Sequence, residues 1–183
     1  YADAKVHQIL DIGTGSGNIA AALANQWPAA QLTAVDISID ALETARQNFL
    51  NLNLDRRIKL IHSDLLDSLD ADDKSFDIIV SNPPYILKAE FSNLQIDVRD
   101  FEPYTALIVE QPESFYGRLF RQALRYLKPT SIIYIESSPI LINKVAEIAN
   151  QAGFNHCHIL KDFSGLDRFL IATCSDCSKS IDV

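Results

Sequence analysis

The sequence predicts an α/β fold, a seven-stranded and mostly parallel sheet covered by helices on both faces. Three observations carry this expectation. Apolar runs of strand length alternate with stretches of helical periodicity along most of the chain. The runs Phe76-Asp77-Ile78-Ile79-Val80 and Ile132-Ile133-Tyr134-Ile135 are nearly continuous in apolar residues, as central strands buried on both faces must be. The first strand passes through three alternating glycines directly into a helical pattern, the turn by which a strand feeds a crossover helix.

The elements follow in order. A strand over Gln8 to Ile12 precedes a helix over Asn18 to Gln26; a strand over Gln31 to Val35 precedes a helix over Asp40 to Asn51, with Ser38 or Asp40 available as its cap. Strands over Ile58 to His62 and Phe76 to Val80 come next, then a long loop. The pattern resumes with a helix from about Phe115 to Leu127, a strand over Ser131 to Glu136, and a helix from about Ile140 to Ala152 closed by Gly153. Strands near His156 to Lys161 and Arg168 to Cys174 complete the seven.

With 183 residues and 48% hydrophobic content, the chain fits one domain with a sizeable core. We take residues 1–175 as that domain and residues 176–183, polar and unpatterned, as a flexible tail. No apolar run approaches the roughly 20 residues that span a bilayer, and the opening residues lack a basic-then-apolar leader pattern. The expectation is a cytoplasmic monomer with no membrane partner. A net charge of -8 without a basic tract argues against tight binding to bare nucleic acid. Cys157, Cys174 and Cys177 are too few for a disulfide framework. Cys174 and Cys177 have C-x-x-C spacing, but only His156 and His158 lie near them in sequence, so no metal is expected.

Chemistry gathers at two places. In Asp11-Ile12-Gly13-Thr14-Gly15-Ser16-Gly17 the glycines are needed because a Cβ would block both the turn and the approach of a ligand to the N–H groups of the following helix. The G-x-G-x-G spacing, with Asp11 two residues ahead, differs from the G-x-G-x-x-G of dinucleotide sites and points to S-adenosyl-L-methionine (AdoMet). Asp36, at the end of the second strand, suits both hydroxyls of a ribose; read alone, it is equally a cap of the next helix. Asp64, after the third strand, can face the adenine amino group while Leu65 packs on the ring, although a lone Asp there is often a turn residue.

The second place is Ser81-Asn82-Pro83-Pro84-Tyr85, which leaves the C-terminal end of the fourth strand, the edge where open α/β sheets bind ligands. An ordinary Pro-rich turn is the plain alternative. Prolines cannot donate to a ladder, so their carbonyls remain available as acceptors. A planar amide or exocyclic amino nitrogen is a poor nucleophile because its lone pair is delocalised. The Asn82 side-chain oxygen and the Pro83 carbonyl can grip its two N–H groups and turn the lone pair toward a methyl donor. Pro84 and Tyr85 complete the loop, Tyr85 as a wall against the planar group. Asn82 would then face both substrate and cofactor. No strong base is required, since the methylated nitrogen is acidic enough to release its proton to Asn82, Pro83 or water.

Together these motifs resemble the HemK/PrmC family of protein-glutamine N5-methyltransferases, from Ile9 to about Ala172. The glycine loop and Asn-Pro-Pro-Tyr also occur in other AdoMet enzymes. The segment Asp97-Val98-Arg99-Asp100-Phe101-Glu102-Pro103 with Ala106-Leu107 is more particular to the glutamine enzymes, and Asp162 to Arg168 matches more weakly. The resemblance implies a class I AdoMet-dependent methyltransferase fold, Rossmann-like, with an antiparallel last strand. It implies AdoMet as cofactor and, as substrate, the glutamine of the Gly-Gly-Gln motif of peptide chain release factors. It also implies that the family's N-terminal helical substrate-recognition domain is absent from this chain. Arg99 and Glu102 could equally be an ion pair bracing their loop. The first rival is a methyltransferase of an exocyclic amine in DNA or RNA, which shares the same nitrogen chemistry. A non-catalytic module of the same fold and a nicotinamide oxidoreductase are further rivals; the intact Asn82 and the glycine spacing argue against them.

Overall fold

A computed structural model describes residues 6–70, 76–88 and 104–174. Seven strands form one sheet: β1 (Gln8–Ile12), β2 (Gln31–Asp36), β3 (Ile58–His62), β4 (Phe76–Ser81), β7 (Leu127–Glu136), β8 (His156–Lys161) and β9 (Asp167–Thr173). Their order is β3-β2-β1-β4-β7-β9-β8. β9 runs antiparallel to both its neighbours, and the other pairings are parallel, so the predicted mostly parallel sheet with an antiparallel last strand is what forms. The chain reverses its direction of travel across the sheet between β3 and β4, which leaves a crevice beyond the C-terminal ends of β1 and β4.

Side-chain alternation along the strands sorts the core onto the two faces. Leu10, Ile12, Ile79, Ile133 and Ile135 point to one side. There they meet Tyr116, Leu119 and Phe120 of α3 (Pro112–Ala123) and Val145 and Ile148 of α4 (Ile142–Ala152). Ile9, Leu32, Ala34, Ile78 and Val80 point to the other side, against Ala20 and Ala24 of α1 (Asn18–Gln26) and Ala45 and Phe49 of α2 (Ile39–Asn51). Burying side chains from both faces is why β1, β4 and β7 read as unbroken apolar runs.

Several boundaries differ from expectation. α3 begins at Pro112, whose ring suits the first helical position because no N–H is needed there. The predicted helix ends early, and Leu124–Tyr126 tightens into a 3-10 turn. β7 starts at Leu127, not Ser131, with a register irregularity opposite Phe76 and Ile78 that accommodates Pro129. Two short strands were not foreseen: β5 (Ile86–Leu87) and β6 (Ile108–Val109) pair in parallel as a separate ladder just beyond the Asn-Pro-Pro-Tyr loop. Gly153 closes α4 at φ 116°, as its position promised. No helix among the described residues is long and apolar enough to cross a membrane.

Gly17 shows how tightly α1 enters the fold. Its φ is 84°, and a Cβ placed on it would lie 2.5 Å from the Phe49 ring and 3.2 Å from the Ala45 Cβ. A Cβ on Gly13, at φ 70°, would meet nothing within 4 Å. We expect Gly17→Ala to destabilise the protein by about 2–4 kcal/mol and Gly13→Ala by about 1–2 kcal/mol, because only the first adds a steric clash to the left-handed strain. Equilibrium urea denaturation of both variants checks the ranking; equal losses would mean that the Phe49 contact is unimportant.

Candidate functional site

The turn after β1 is held from behind. The Gly13 and Thr14 N–H groups both donate to the Val35 carbonyl, at 2.9 and 3.0 Å, and the Gly17 N–H donates to the Thr14 carbonyl at 2.9 Å. From α2, the Asn48 side-chain amide donates to the Ser16 carbonyl at 2.9 Å. Gly13, Gly15 and Gly17 all take left-handed φ values, and open space lies where a Cβ would stand on Gly13 and Gly15. The loop is therefore rigid in backbone and bare in side chains.

Two carboxylates flank it. The Asp36 Oδ2 accepts the Gly15 N–H and its Oδ1 accepts the Ser38 N–H, each at 2.8 Å. These bonds fix the carboxylate while leaving acceptor capacity on both oxygens. Ser38, not Asp36, caps α2, its hydroxyl accepting the Ala41 N–H at 3.2 Å. Asp11 is fully buried at the foot of the loop. Thr14 Oγ1 donates to its Oδ2 at 2.7 Å, and its Oδ1 is buried with no hydrogen-bond partner among the described residues. Burial pushes its pKa from an ordinary 3.8 up to about 6. The Thr14 hydroxyl opposes that rise, as does the Ala20 amide, which lies nearby without satisfying hydrogen-bond geometry; the Asp36 charge adds to it. An orphaned buried acceptor beside two open glycines is what a cationic ligand bearing hydroxyls would complete.

Asp64 has a protein partner that the sequence did not suggest. Its Oδ2 accepts from Arg118 Nη2 at 2.9 Å, and the same nitrogen reaches Asp67 Oδ2 at 3.2 Å. The Asp64 bond raises the Arg118 pKa above its ordinary value. Leu65 beside it is buried and holds φ 50°, a region that non-glycine residues rarely enter.

The Asn-Pro-Pro-Tyr loop leaves β4 one strand away from the glycines. Ser81, buried, donates its hydroxyl to the Ile12 carbonyl at 2.7 Å, and the same two residues are register partners. Asn82 follows, exposed, and among the described residues nothing hydrogen-bonds its side chain; Pro83 is buried, and Pro84 and Tyr85 are half-buried. The Tyr85 hydroxyl donates to Glu136 Oε1 at 3.4 Å, at the end of β7. The Arg168 guanidinium lies 5.7 Å from the centre of the Tyr85 ring, within cation–π range. Arg168 is itself paired with Asp162 at 3.7 Å.

Asp11, Thr14, Gly15, Asp36, Asn82 and Tyr85 are thus gathered along one edge of the sheet, while Asp64 is drawn toward α3. Sequence reasoning missed Asn48, Arg118 and Gln122, helical residues whose partners lie 32 to 56 residues upstream. Only the four-residue spacing of Arg118 and Gln122, which places them on one helix face, could have hinted at their joint role. Arg99, Glu102, Cys177 and the tail lie outside the described residues. A cavity lined by Gln8, Gln31, Arg57 and Lys59 sits at the opposite edge of the sheet, away from these groups.

A sequence profile described as the methyltransferase small domain matches residues 2–97. A release factor glutamine methyltransferase of Rhodopirellula baltica is 42% identical over 165 residues, covering 88% of this chain and 55% of its own length. A bifunctional methyltransferase of Rickettsia typhi is 36% identical over 165 residues, covering 90% of this chain and 32% of its own length. The chain therefore spans about half of the first relative's length and a third of the second's. Among solved structures, a ribosomal protein L11 methylase from Lactobacillus delbrueckii shares the fold with a TM-score of 0.65 at 24% identity, covering 94% of this chain and 72% of its own.

The buried acid yields a pH prediction. Because the folded pKa of Asp11, about 6, exceeds its ordinary 3.8, the folded state holds the extra proton across that window, and this group's contribution to stability falls as pH rises through it. We expect Asp11→Asn to be more stable than the parent at pH 7.5 by up to about 3 kcal/mol. The gain should shrink toward zero near pH 4, as read by urea denaturation of both proteins. A gain independent of pH would contradict the assigned ionisation.

Proposed function

The chain belongs to the methyltransferase small domain family, and from that premise we propose that it transfers a methyl group from AdoMet to the side-chain amide nitrogen (N5) of the Gly-Gly-Gln glutamine in peptide chain release factors. The observation that carries this reading is the position of Asn82, exposed and without a hydrogen-bond partner among the described residues, one strand from the glycine loop through the pairing of Ile12 with Ser81. The names of the relatives and the Asn-Pro-Pro-Tyr motif support glutamine as the acceptor.

The residues of the crevice divide the work. The left-handed glycines Gly13, Gly15 and Gly17, with Thr14 and Ser16, present backbone to the cofactor without side-chain obstruction. Asp36 accepts from the ribose hydroxyls with the lone pairs that Gly15 and Ser38 leave free. Asp11, ionised when a positive charge stands above it, offers its unpartnered Oδ1 to the cationic methionyl end. Asp64 and Leu65 form the adenine corner. When bound, AdoMet supplies a methyl carbon made electrophilic by its sulfonium.

The acceptor side must make a poor nucleophile competent. Asn82 Oδ1 and the Pro83 carbonyl accept the two N–H groups of the glutamine amide and favour a more tetrahedral nitrogen whose lone pair faces the methyl donor. Their benefit is largest in the transition state, where the nitrogen gains positive charge. Pro84 and the Tyr85 ring limit the tilt of the planar amide, and Tyr85 is itself steadied by Glu136 and Arg168. The proton of the methylated nitrogen passes to Asn82, Pro83 or water, so no basic side chain has to stand there.

The test is transfer of labelled methyl from AdoMet to a release factor, to its Gly-Gly-Ala variant, and to mixed DNA and RNA. Label on the glutamine form alone is expected; label on nucleic acid would replace this reading with an exocyclic-amine methyltransferase. Asn82→Ala should lower kcat by at least about 100-fold, as loss of a transition-state hydrogen-bond partner does, while AdoMet affinity changes by less than about 3-fold. Normal turnover in that variant would refute the acceptor mechanism.

A further inference from the structure

α3 grips the loop that follows β3 at four points. Arg118 Nη2 bonds Asp64 at 2.9 Å and Asp67 at 3.2 Å. Gln122, one turn further along the same face, donates to Asp67 Oδ1 at 2.6 Å and accepts the Leu66 N–H at 2.9 Å. Between these anchors Leu65 is held at φ 50° with its side chain buried. A left-handed non-glycine residue costs on the order of 1 kcal/mol and persists only where its surroundings impose it.

Arg118 engages a single oxygen of Asp64. The other, Oδ1, accepts no hydrogen bond from the described residues. A free carboxylate on an exposed turn samples several rotamers, and ordering it for a ligand costs binding free energy; a carboxylate already tethered through Oδ2 avoids that cost. The contact is made by one guanidinium nitrogen, shared with Asp67, so it restricts the Asp64 rotamer through Oδ2 and leaves Oδ1 free of it.

We propose that Arg118 is a positioning residue for nucleobase recognition: by tethering Asp64 through Oδ2 it aims Oδ1 at the 6-amino group of the purine, and with Gln122 it sets the Leu65 wall. The inference rests on the reading of AdoMet as cofactor, not on the identity of the methyl acceptor. Base selectivity then depends on a helix that itself packs behind the acceptor side, through Tyr116 and its hydroxyl 3.4 Å from Ser137 Oγ.

The test is direct binding of S-adenosylhomocysteine and its 6-oxo (inosine) analogue, by calorimetry, with no turnover involved. The parent protein should prefer the adenosine compound by roughly 10- to 100-fold, as expected for a hydrogen bond to a charged acceptor. Arg118→Met should reduce that preference to about 3-fold or less, Arg118→Lys should restore part of it, and Arg118→Met should add nothing in an Asp64→Asn background. Gln122→Ala should weaken both compounds together and keep the ratio. An unchanged ratio in Arg118→Met, whatever its affinity, would overturn the proposal. Failure of the parent to bind S-adenosylhomocysteine would instead defeat the cofactor reading on which it rests. Unfolding midpoints establish that each variant is folded, and Arg118→Gln stands in if the methionine variant is not.

Discussion

Ser81 and Ile12 end two neighbouring strands in register, and the hydroxyl of one closes on the carbonyl of the other at 2.7 Å. The glycine turn and the Asn-Pro-Pro-Tyr loop both leave the sheet at that junction. On the Ile12 side the chain turns left-handed through three glycines; on the Ser81 side it breaks outward through two prolines. Parallel strands separated by one ladder spacing stand about 4.8 Å apart, so the pairing sets the glycine turn and the Asn-Pro-Pro-Tyr loop close to each other. The reversal of strand order between β3 and β4 keeps the space above them free of a crossover connection.

The electrostatics of this edge run against the stability of the empty protein. Asp11 is buried with one oxygen unsatisfied, and Asp36 adds like charge to its surroundings. A buried carboxylate without a counter-charge is costly, and the fold carries that cost at the foot of the glycine turn. Asp36 shows the complementary arrangement: two backbone N–H groups hold it, so it is ordered before any hydroxyl is present.

Much of this was legible in the sequence, for physical reasons that can be named. Two-sided burial writes itself as unbroken apolar runs, so β1, β4 and β7 were readable; glycines that need positive φ cannot be replaced by other residues without strain, so the left-handed turn after β1 was readable too. What escaped was long-range and side-chain specific. The hold of Asn48 on Ser16, the Arg118 and Gln122 clamp on residues 64 to 67, and the Arg168 approach to Tyr85 are contacts between polar side chains far apart in sequence, and nothing in local pattern encodes them. Asp64 is the instructive case: its type and place after β3 suggested a ligand contact, and no local pattern could add that an arginine holds its Oδ2, on a helix that starts three residues earlier than expected. The short β5 and β6 ladder went unseen because two-residue strands leave no periodicity to detect.

On the proposed function, the glycine turn and the Asn-Pro-Pro-Tyr loop act as one continuous site. A bisubstrate compound, with the side-chain amide nitrogen of a Gly-Gly-Gln peptide joined by a short alkyl bridge to the 5′ position of adenosine, measures this most directly. The account predicts that it binds the parent at least about 100-fold more tightly than adenosine or the peptide alone, as linked occupancy of adjacent subsites requires, and that Asn82→Ala removes most of that advantage. An affinity no better than that of adenosine, unchanged by Asn82→Ala, would show that the two halves do not act on one bound substrate pair.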